Sequence, residues 1–505
     1  MPNDIGFDNE KYLEEQTAAI KERVSRFSDK LYLEFGGKLL FDFHASRVLP
    51  GFDPNVKMRL LQGLSDQAEV ILCIYAGDIE KKKMRADFGI TYDADALKLM
   101  DDLEERGVPV RAVVITRYER QPGASAFKAQ LENRGVQVHT HPFTKGYPTD
   151  VGTVVSDEGY GANSYVETKK PIVVVTGPGP GSGKLATCLS QLYHDHRRGL
   201  ESGYAKFETF PIWNLPLKHP VNSAYEAATA EMKDVNQIDY FHLDAYNERA
   251  VNYNRDIEAF PLLKRIIERI TGGNSFYASP TDMGVNRAGF GIIDDEVVKE
   301  AGRQEIVRRF FRYACEHAMG LVDKESVERI QLLMKEHELS PENRSVVAPA
   351  REAAKEAKEK GKGNKGIFCG AAMELPDGSI VTGYNTPLVH AASNLILNAV
   401  RRLAECPPEQ DVLPSATFRS LTHLKKHILN RERVSLDVEE TLIALGLSAA
   451  TDPQADAATR QLPALRGLEV HMTHMPSPGD GAGLRKLGVN LTTEPQFAST
   501  KLFMG

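Results

Sequence analysis

Gly177-Pro178-Gly179-Pro180-Gly181-Ser182-Gly183-Lys184 follows the apolar run Ile172–Thr176 and leads into an amphipathic stretch ending near Arg198. A strand, a glycine-rich turn and a helix N-terminus in that order aim backbone N–H groups at one point, which favours a bound anion. Lys184 adds a full positive charge there. The expected ligand is a phosphate, on a nucleotide or another small molecule. The stretch departs from the P-loop pattern of Gly, four residues, Gly-Lys and then Ser or Thr. Pro178 stands at the leading glycine, and Leu185 replaces the hydroxyl residue that would bind Mg²⁺. Pro178 and Pro180 also lack an N–H. Ser182 could supply a hydroxyl, whereas Thr187 lies two positions late and points to another helix face. The cofactor-binding set read here is Gly177, Gly179, Gly181, Ser182, Gly183, Lys184 and Thr187. The Mg²⁺ requirement stays open, and no metal-ligand set is assigned. The competing reading is a glycine-rich turn with no ligand.

Other stretches carry side chains suited to binding or proton transfer. The segment 33–54, LEFGGKLLFDFHASRVLPGFDP, sets Lys38, His44 and Arg47 beside Gly36 and Gly37, and cations next to glycines can hold an acidic substrate. Asp157 and Glu158, in SDEGYG after an apolar run, suit acid–base work or metal binding. The segment 206–222, KFETFPIWNLPLKHPVN, interleaves Asn214, His219 and Asn222 with aromatics and prolines, as loops closing over ligands do. VNYNRD and SPTDMGVN add Asn254, Arg255, Asp282 and Asn286. Singly, each has a bland reading as a tight turn or solvated loop. Together they predict one polar cleft. Its catalytic candidates are Lys184, Asp157, Glu158, His219 and Asp282. Its substrate-binding candidates are Lys38, His44, Arg47, Asn214, Asn222, Asn254, Arg255 and Asn286.

The elements that must position these residues follow from periodicity. Buried-strand runs are expected at Glu69–Tyr75, Val108–Thr116, Val136–His139, Val151–Ser156 and Ile172–Thr176, with helices at Asp93–Arg106 and Ala124–Arg134. Short β-branched runs alternating with helices predict an α/β fold with a mostly parallel sheet, whose ligands sit beyond the carboxyl ends of the strands. The chain has 505 residues, enough for several domains. The expected division is an α/β domain over 1–300, a helical segment over 300–350, a charged linker over 350–366 and a C-terminal α/β domain over 367–505.

A net charge of −7 argues against nucleic acid as a partner. The polar N-terminus and the lack of a long apolar run argue against a signal peptide and a membrane span. Five scattered cysteines without CxxC spacing fit reduced thiols in a cytoplasm. In the C-terminal part, ELPDGSIVTGYN, His390-Ala391-Ala392 and EVHMTHMPSPGD follow the order of zinc-dependent deaminases. That fold uses a catalytic Glu and a PCxxC pair. Ala392 and Ser477 occupy the Glu and first Cys positions, so the architecture is expected to be deaminase-like without zinc ligands.

YLEFGGKL, HASRVLPGF, SDEGYG, TGPGPGSGK, KFETFPIWNLPLKHPVN, VNYNRD, SPTDMGVN and IIDDEVVKEA together resemble the bacterial family of domain of unknown function 1846, also called uncharacterised protein family 0371. The resemblance spans essentially the whole chain. It implies no established activity. The family's loop has the same proline-interrupted form. The expected function is binding of a nucleotide or other phosphorylated small molecule, in an enzyme of phosphoryl transfer or a related reaction. The rival is a non-catalytic nucleotide sensor or scaffold with a degenerate deaminase-like domain. A homo-oligomer suits either.

Overall fold

A computed structural model describes residues 5–85, 88–273, 276–407 and 411–499. These divide into two compact units, the first running to Gly302 and the second starting at Arg303.

The first unit is built on seven parallel strands: β1 Lys30–Phe35, β2 Ala68–Tyr75, β3 Val110–Thr116, β4 Val138–His141, β5 Ile172–Thr176, β6 Ser202–Phe207 and β7 Gly284–Val285. Their order across the sheet is β7-β6-β1-β5-β2-β3-β4. The chain starts near the middle at β1, steps over to β2, β3 and β4, returns to fill the gap at β5, then crosses β1 to β6 and β7. The strands read as apolar runs because both faces are covered. On one face Tyr32, Cys73, Val173 and Val175 pack against helices Lys184–Arg197 and Asn254–Thr271. On the other, Leu31, Leu33, Val174 and Phe207 pack under helices Asn9–Val24 and Val56–Gly63. In a parallel sheet of this winding, the crevice for ligands opens at the carboxyl edge where the strand order reverses, here around β1 and β5.

One expected strand is absent. Val151–Ser156 begins as a short helix, Val151–Val154, because Asp150 caps it: its Oδ1 accepts from the Thr153 N–H at 3.1 Å. A β-branched run was outweighed by a side-chain cap.

The second unit contains helices Lys324–Glu336 and Val347–Glu359 and a four-stranded sheet: β8 Gly370–Glu374, β9 Ile380–Tyr384, β10 Glu469–Met472 and β11 Asn490–Thr493. The order is β9-β8-β10-β11, with β8 antiparallel to both neighbours and β10 parallel to β11. Pro376-Asp377-Gly378, a turn-forming triplet in the sequence, makes the hairpin turn between β8 and β9, with Gly378 at φ +79°. The charged stretch 350–366 differs from the linker expected of it. Helix Val347–Glu359 buries Val347, Ala350, Ala353 and Ala357. It lies so close to β8 that a Cβ on Gly370 would collide with the Ala350 carbonyl and come within 2.6 Å of Ala354 N. Its many charges occupy the outer face, and alanines on the inner face permit the close approach. No helix among the described residues is long and apolar enough to cross a membrane.

Candidate functional site

The glycine-rich loop leaves the carboxyl end of β5 at the reversal of strand order. Gly183 has φ +89°, and a Cβ there would lie 2.7 Å from the Thr116 side chain at the end of β3. Thr116 Oγ1 donates to Ser182 O at 2.8 Å. The Arg117 guanidinium donates to Gly181 O and stacks on the Tyr75 ring at 3.4 Å. The loop is therefore held by the ends of β2 and β3. Helix Lys184–Arg197 starts from Gly183 with no side-chain cap, so its first N–H groups are left for other acceptors. Lys184 is 9% exposed, and its Nζ donates to Gly179 O and Ser182 Oγ, both at 3.3 Å. Both acceptors are neutral, and no carboxylate among the described residues pairs with this ammonium. A buried charge without a counter-charge is costly, and a bound anion would remove the cost.

Across the sheet, β1 and β6 carry charges inside otherwise apolar strands. Glu34 on β1 lies in register with Val175 of β5 on one side and Lys206 of β6 on the other. It accepts from the Tyr204 hydroxyl at 2.8 Å. Lys206 Nζ is 2.5 Å from Glu208 Oε1 and also pairs with Asp256 at the start of helix Asn254–Thr271. Arg255 faces buried Asp234 at 3.3 Å. Burial pushes the Glu208 carboxyl up to about 7; Lys206 opposes this, and Asp256 and Glu34 reinforce it. Burial likewise raises Asp234 to about 6 against the pull of Arg255. Burial alone would lower Lys206, but Asp256, Glu208 and Glu34 outweigh it and hold the ammonium protonated.

The sequence profile of the domain of unknown function DUF1846, N-terminal, matches residues 5–338, and that of its C-terminal partner matches 342–503. The chain belongs to the DUF1846 family. A UPF0371 protein of Clostridium botulinum (strain Langeland / NCTC 10281 / Type F) is 57% identical over 500 residues, covering 99% of each chain. The UPF0371 protein of Clostridium tetani (strain Massachusetts / E88) is 55% identical over 499 residues, with the same coverage. Match and identity run through both units, so the DUF1846 relatives carry both parts in one chain.

Within this DUF1846 chain the expected site residues scatter. Gly177 to Lys184 stand together as expected. Lys38, after β1, lines a small cavity with Gly177, Pro178, Arg85 and Lys98. Thr187 turns inward and its Oγ1 accepts from the Cys73 thiol at 3.4 Å, so it faces the sheet and not the loop. Asp157 accepts from the Tyr193 hydroxyl at 2.8 Å and lies 3.8 Å from Arg197. Those partners are nine and thirteen residues beyond Lys184, which at 1.5 Å per residue puts them about 14–20 Å along the helix. Asp157 thus sits at the far end of that helix. Glu158 beside it is exposed and pairs with Lys145.

Several other candidates make hydrogen bonds that hold the fold. His219 caps helix Pro220–Ala228 through Nδ1, and its Nε2 meets Asp295 Oδ1 at 3.0 Å. Burial holds its pKa below the usual histidine range despite Asp295. Asn222 clamps both backbone groups of Ile212, at 2.7 and 3.0 Å. Asn254 accepts from Val235 N at 2.9 Å, and Asn286 donates to Pro211 O at 2.8 Å. Asp282 accepts from Ala278 N at 3.2 Å, within the turn before β7. Asn214 is exposed and packs on Gly289. His44 is buried against the rings of Phe210 and Tyr225, and Arg47 follows it on the same short helix, Phe43–Val48.

The DUF1846 C-terminal unit joins three helix starts through one carboxylate. Asp480 accepts from His390 Nδ1 at 2.7 Å, from Ser477 Oγ at 2.7 Å and from Val438 N at 3.1 Å. Ser477 also caps helix Pro478–Leu487, and Ala392 is wholly buried.

Lys206 and Glu208, and Tyr253 and Asp256 of VNYNRD, lie in the segments expected to line the polar cleft, but sequence reading does not single out Glu34 and assigns none of the five a role. The available signal was the charge inside LYLEF and at the head of KFETF, where a buried strand should be apolar throughout.

Proposed function

We propose that the loop Gly177–Lys184 binds the phosphate of a small molecule or nucleotide. One observation carries this reading: Lys184 is a buried ammonium whose acceptors, Gly179 O and Ser182 Oγ, are both neutral. The uncapped N-terminus of helix Lys184–Arg197 adds dipole and N–H donors at the same point. Leu185, in place of Ser or Thr, favours binding without the usual Mg²⁺ ligand from the loop. Phosphoryl transfer is the reaction this loop would serve, with Lys184 neutralising charge on the phosphoryl oxygens. Asp157 and Glu158 take no part in it, because they lie at the other end of the helix.

The test is a thermal-shift and calorimetric screen with inorganic phosphate, nucleotides and sugar phosphates, with and without Mg²⁺. Wild type should bind at least one phosphate compound, and Lys184→Ala should lose it. Equal affinity in both proteins would sink the reading.

For the second unit, strand order β9-β8-β10-β11 followed by helix Ala391–Leu403 after the hairpin supports a deaminase-like architecture. Ala392 and Ser477 stand where the acid–base Glu and a thiolate ligand would be needed. The unit is read as having no zinc deamination.

A further inference from the structure

A second polar group faces the same end of the sheet. Adjacent strands lie about 4.8 Å apart, so β6 ends about 10 Å from β5, with β1 between them. Glu208, just past β6, stands across from Gly36, just past β1. A Cβ on Gly36 would lie 3.0 Å from Phe207 O and 3.8 Å from Glu208 Cγ. The side chains of Lys206 and Asp256 are 23% and 19% exposed, so the cluster reaches solvent.

Tyr253 is 4% exposed, and its hydroxyl has no hydrogen-bond partner among the described residues. That hydroxyl lies within electrostatic reach of Asp234, Glu208 and Asp256. Leaving such a group unpaired is costly, and a ligand oxygen would offset that cost. The carboxyls of Glu34, Glu208, Asp234 and Asp256 outnumber the cations Lys206 and Arg255. Burial raises the Glu208 and Asp234 carboxyls toward the protonated, donating form, beside oxygens that accept. That mix of donors and acceptors matches hydroxyl groups. A flat base would need a free ring face, whereas Tyr225 is already stacked on Phe210 and on Tyr253, at 4.9 and 5.8 Å.

We propose that Glu208, Asp256 and Tyr253 form the subsite for the hydroxyl-bearing end of a phosphorylated polyol or sugar whose phosphate rests at Lys184. This inference rests on the phosphate reading above and names its substrate class. The two anchoring points, about 10 Å apart, leave room for a short carbon chain or one ring between them.

The test is calorimetry on the full chain with inorganic phosphate, sorbitol 6-phosphate, glucose 6-phosphate and sorbitol. At least one of the two organic phosphates should bind tenfold or more tighter than inorganic phosphate. Glu208→Gln and Tyr253→Phe should remove most of that advantage and leave inorganic phosphate within twofold. Tyr253→Phe deletes only an unpartnered hydroxyl, so folding is not at issue. Organic phosphates no tighter than inorganic phosphate, or an advantage intact in both variants, would overturn the subsite. If no phosphate compound binds wild type, the loop reading falls separately. The subsite is then judged by sorbitol: stabilisation lost in Glu208→Gln supports it, and no stabilisation of wild type overturns it.

Discussion

Lys184 and Glu208 are both kept from water, and they accommodate this differently. Lys184 folds its Nζ onto two neutral oxygens. Because that arrangement compensates the ammonium poorly, Lys184→Met should melt within about 1 kcal/mol of wild type in anion-free buffer. With phosphate at about 100 times Kd, wild type should gain about 2.7 kcal/mol and the variant nothing. Differential scanning calorimetry reads both numbers, and a variant that still gains would remove the loop from consideration.

Glu208 instead shifts its proton equilibrium, from an ordinary 4.5 to about 7. A carboxyl raised on folding binds its proton more tightly in the native state. Its contribution is fully present below about pH 4.5 and is lost as pH rises through 7. Glu208→Gln should therefore gain stability relative to wild type across that window, by something on the order of 1–3 kcal/mol. Asp234 shifts in the same direction but is present in both proteins and cancels. Lys206, Asp256, Glu34 and Tyr253 face the carboxyl in both proteins, so chemical denaturation at pH 5 and pH 8 isolates the one group. A difference that does not change with pH would refute the shifted carboxyl.

Elements are tied together by residues that looked functional in sequence. Asn222 bonds both backbone groups of Ile212 in a fully buried setting. Asn222→Ala strands two buried polar groups and should cost about 2–4 kcal/mol, measured by denaturant titration, with phosphate affinity unchanged in the folded fraction. Asn and His are equally suited to clamp a backbone or to bind a ligand, so their type and spacing did not separate the two roles. The charged helix Val347–Glu359 makes the same point from the other side. Its alanines, not its lysines, set its position. Gly370→Ala would force a Cβ into the Ala350 carbonyl, and neither backbone can yield cheaply. A loss of about 1–3 kcal/mol in the melting transition is expected. A neutral result would mean that the helix is not held against β8.

For the whole molecule, the profile boundary and the packing boundary differ. The C-terminal family profile begins at 342, but the second compact unit begins at Arg303. Helix Asp295–Ala318 supplies Arg308, which pairs with Glu469 at 2.9 Å, and Phe311, whose ring meets His471 at 4.7 Å. Arg308 and Arg344 hold the Glu469 carboxyl below its usual range despite burial. A fragment 342–505 leaves that carboxylate short of one partner. Losing Arg308 from this part-exposed pair costs less than breaking a buried one. Losing the buried Phe311 ring adds about 3–5 kcal/mol, more than half of what a small domain can spare. Fragment 303–505 should show a cooperative thermal transition by circular dichroism and 342–505 should not. Equal transitions would show that the helix is dispensable.

The sequence by itself determined the parallel α/β unit, the loop Gly177–Lys184 at a strand's carboxyl end, and the hairpin at Pro376–Gly378. Apolar runs, glycine turns and helix starts act over a few residues, so their causes lie side by side in the chain. Tertiary packing alone decided that Asp157 lies far from Lys184 and that Asn222 and Asn286 bond the backbone. It also decided that Glu34, Lys206, Glu208 and Asp256 share one cluster. The partners in that cluster come from three elements, and Tyr204 reaches Glu34 across 170 positions of chain. Such groups meet because adjacent strands align them, and strand order is set by the burial of the whole sheet, which no local stretch encodes.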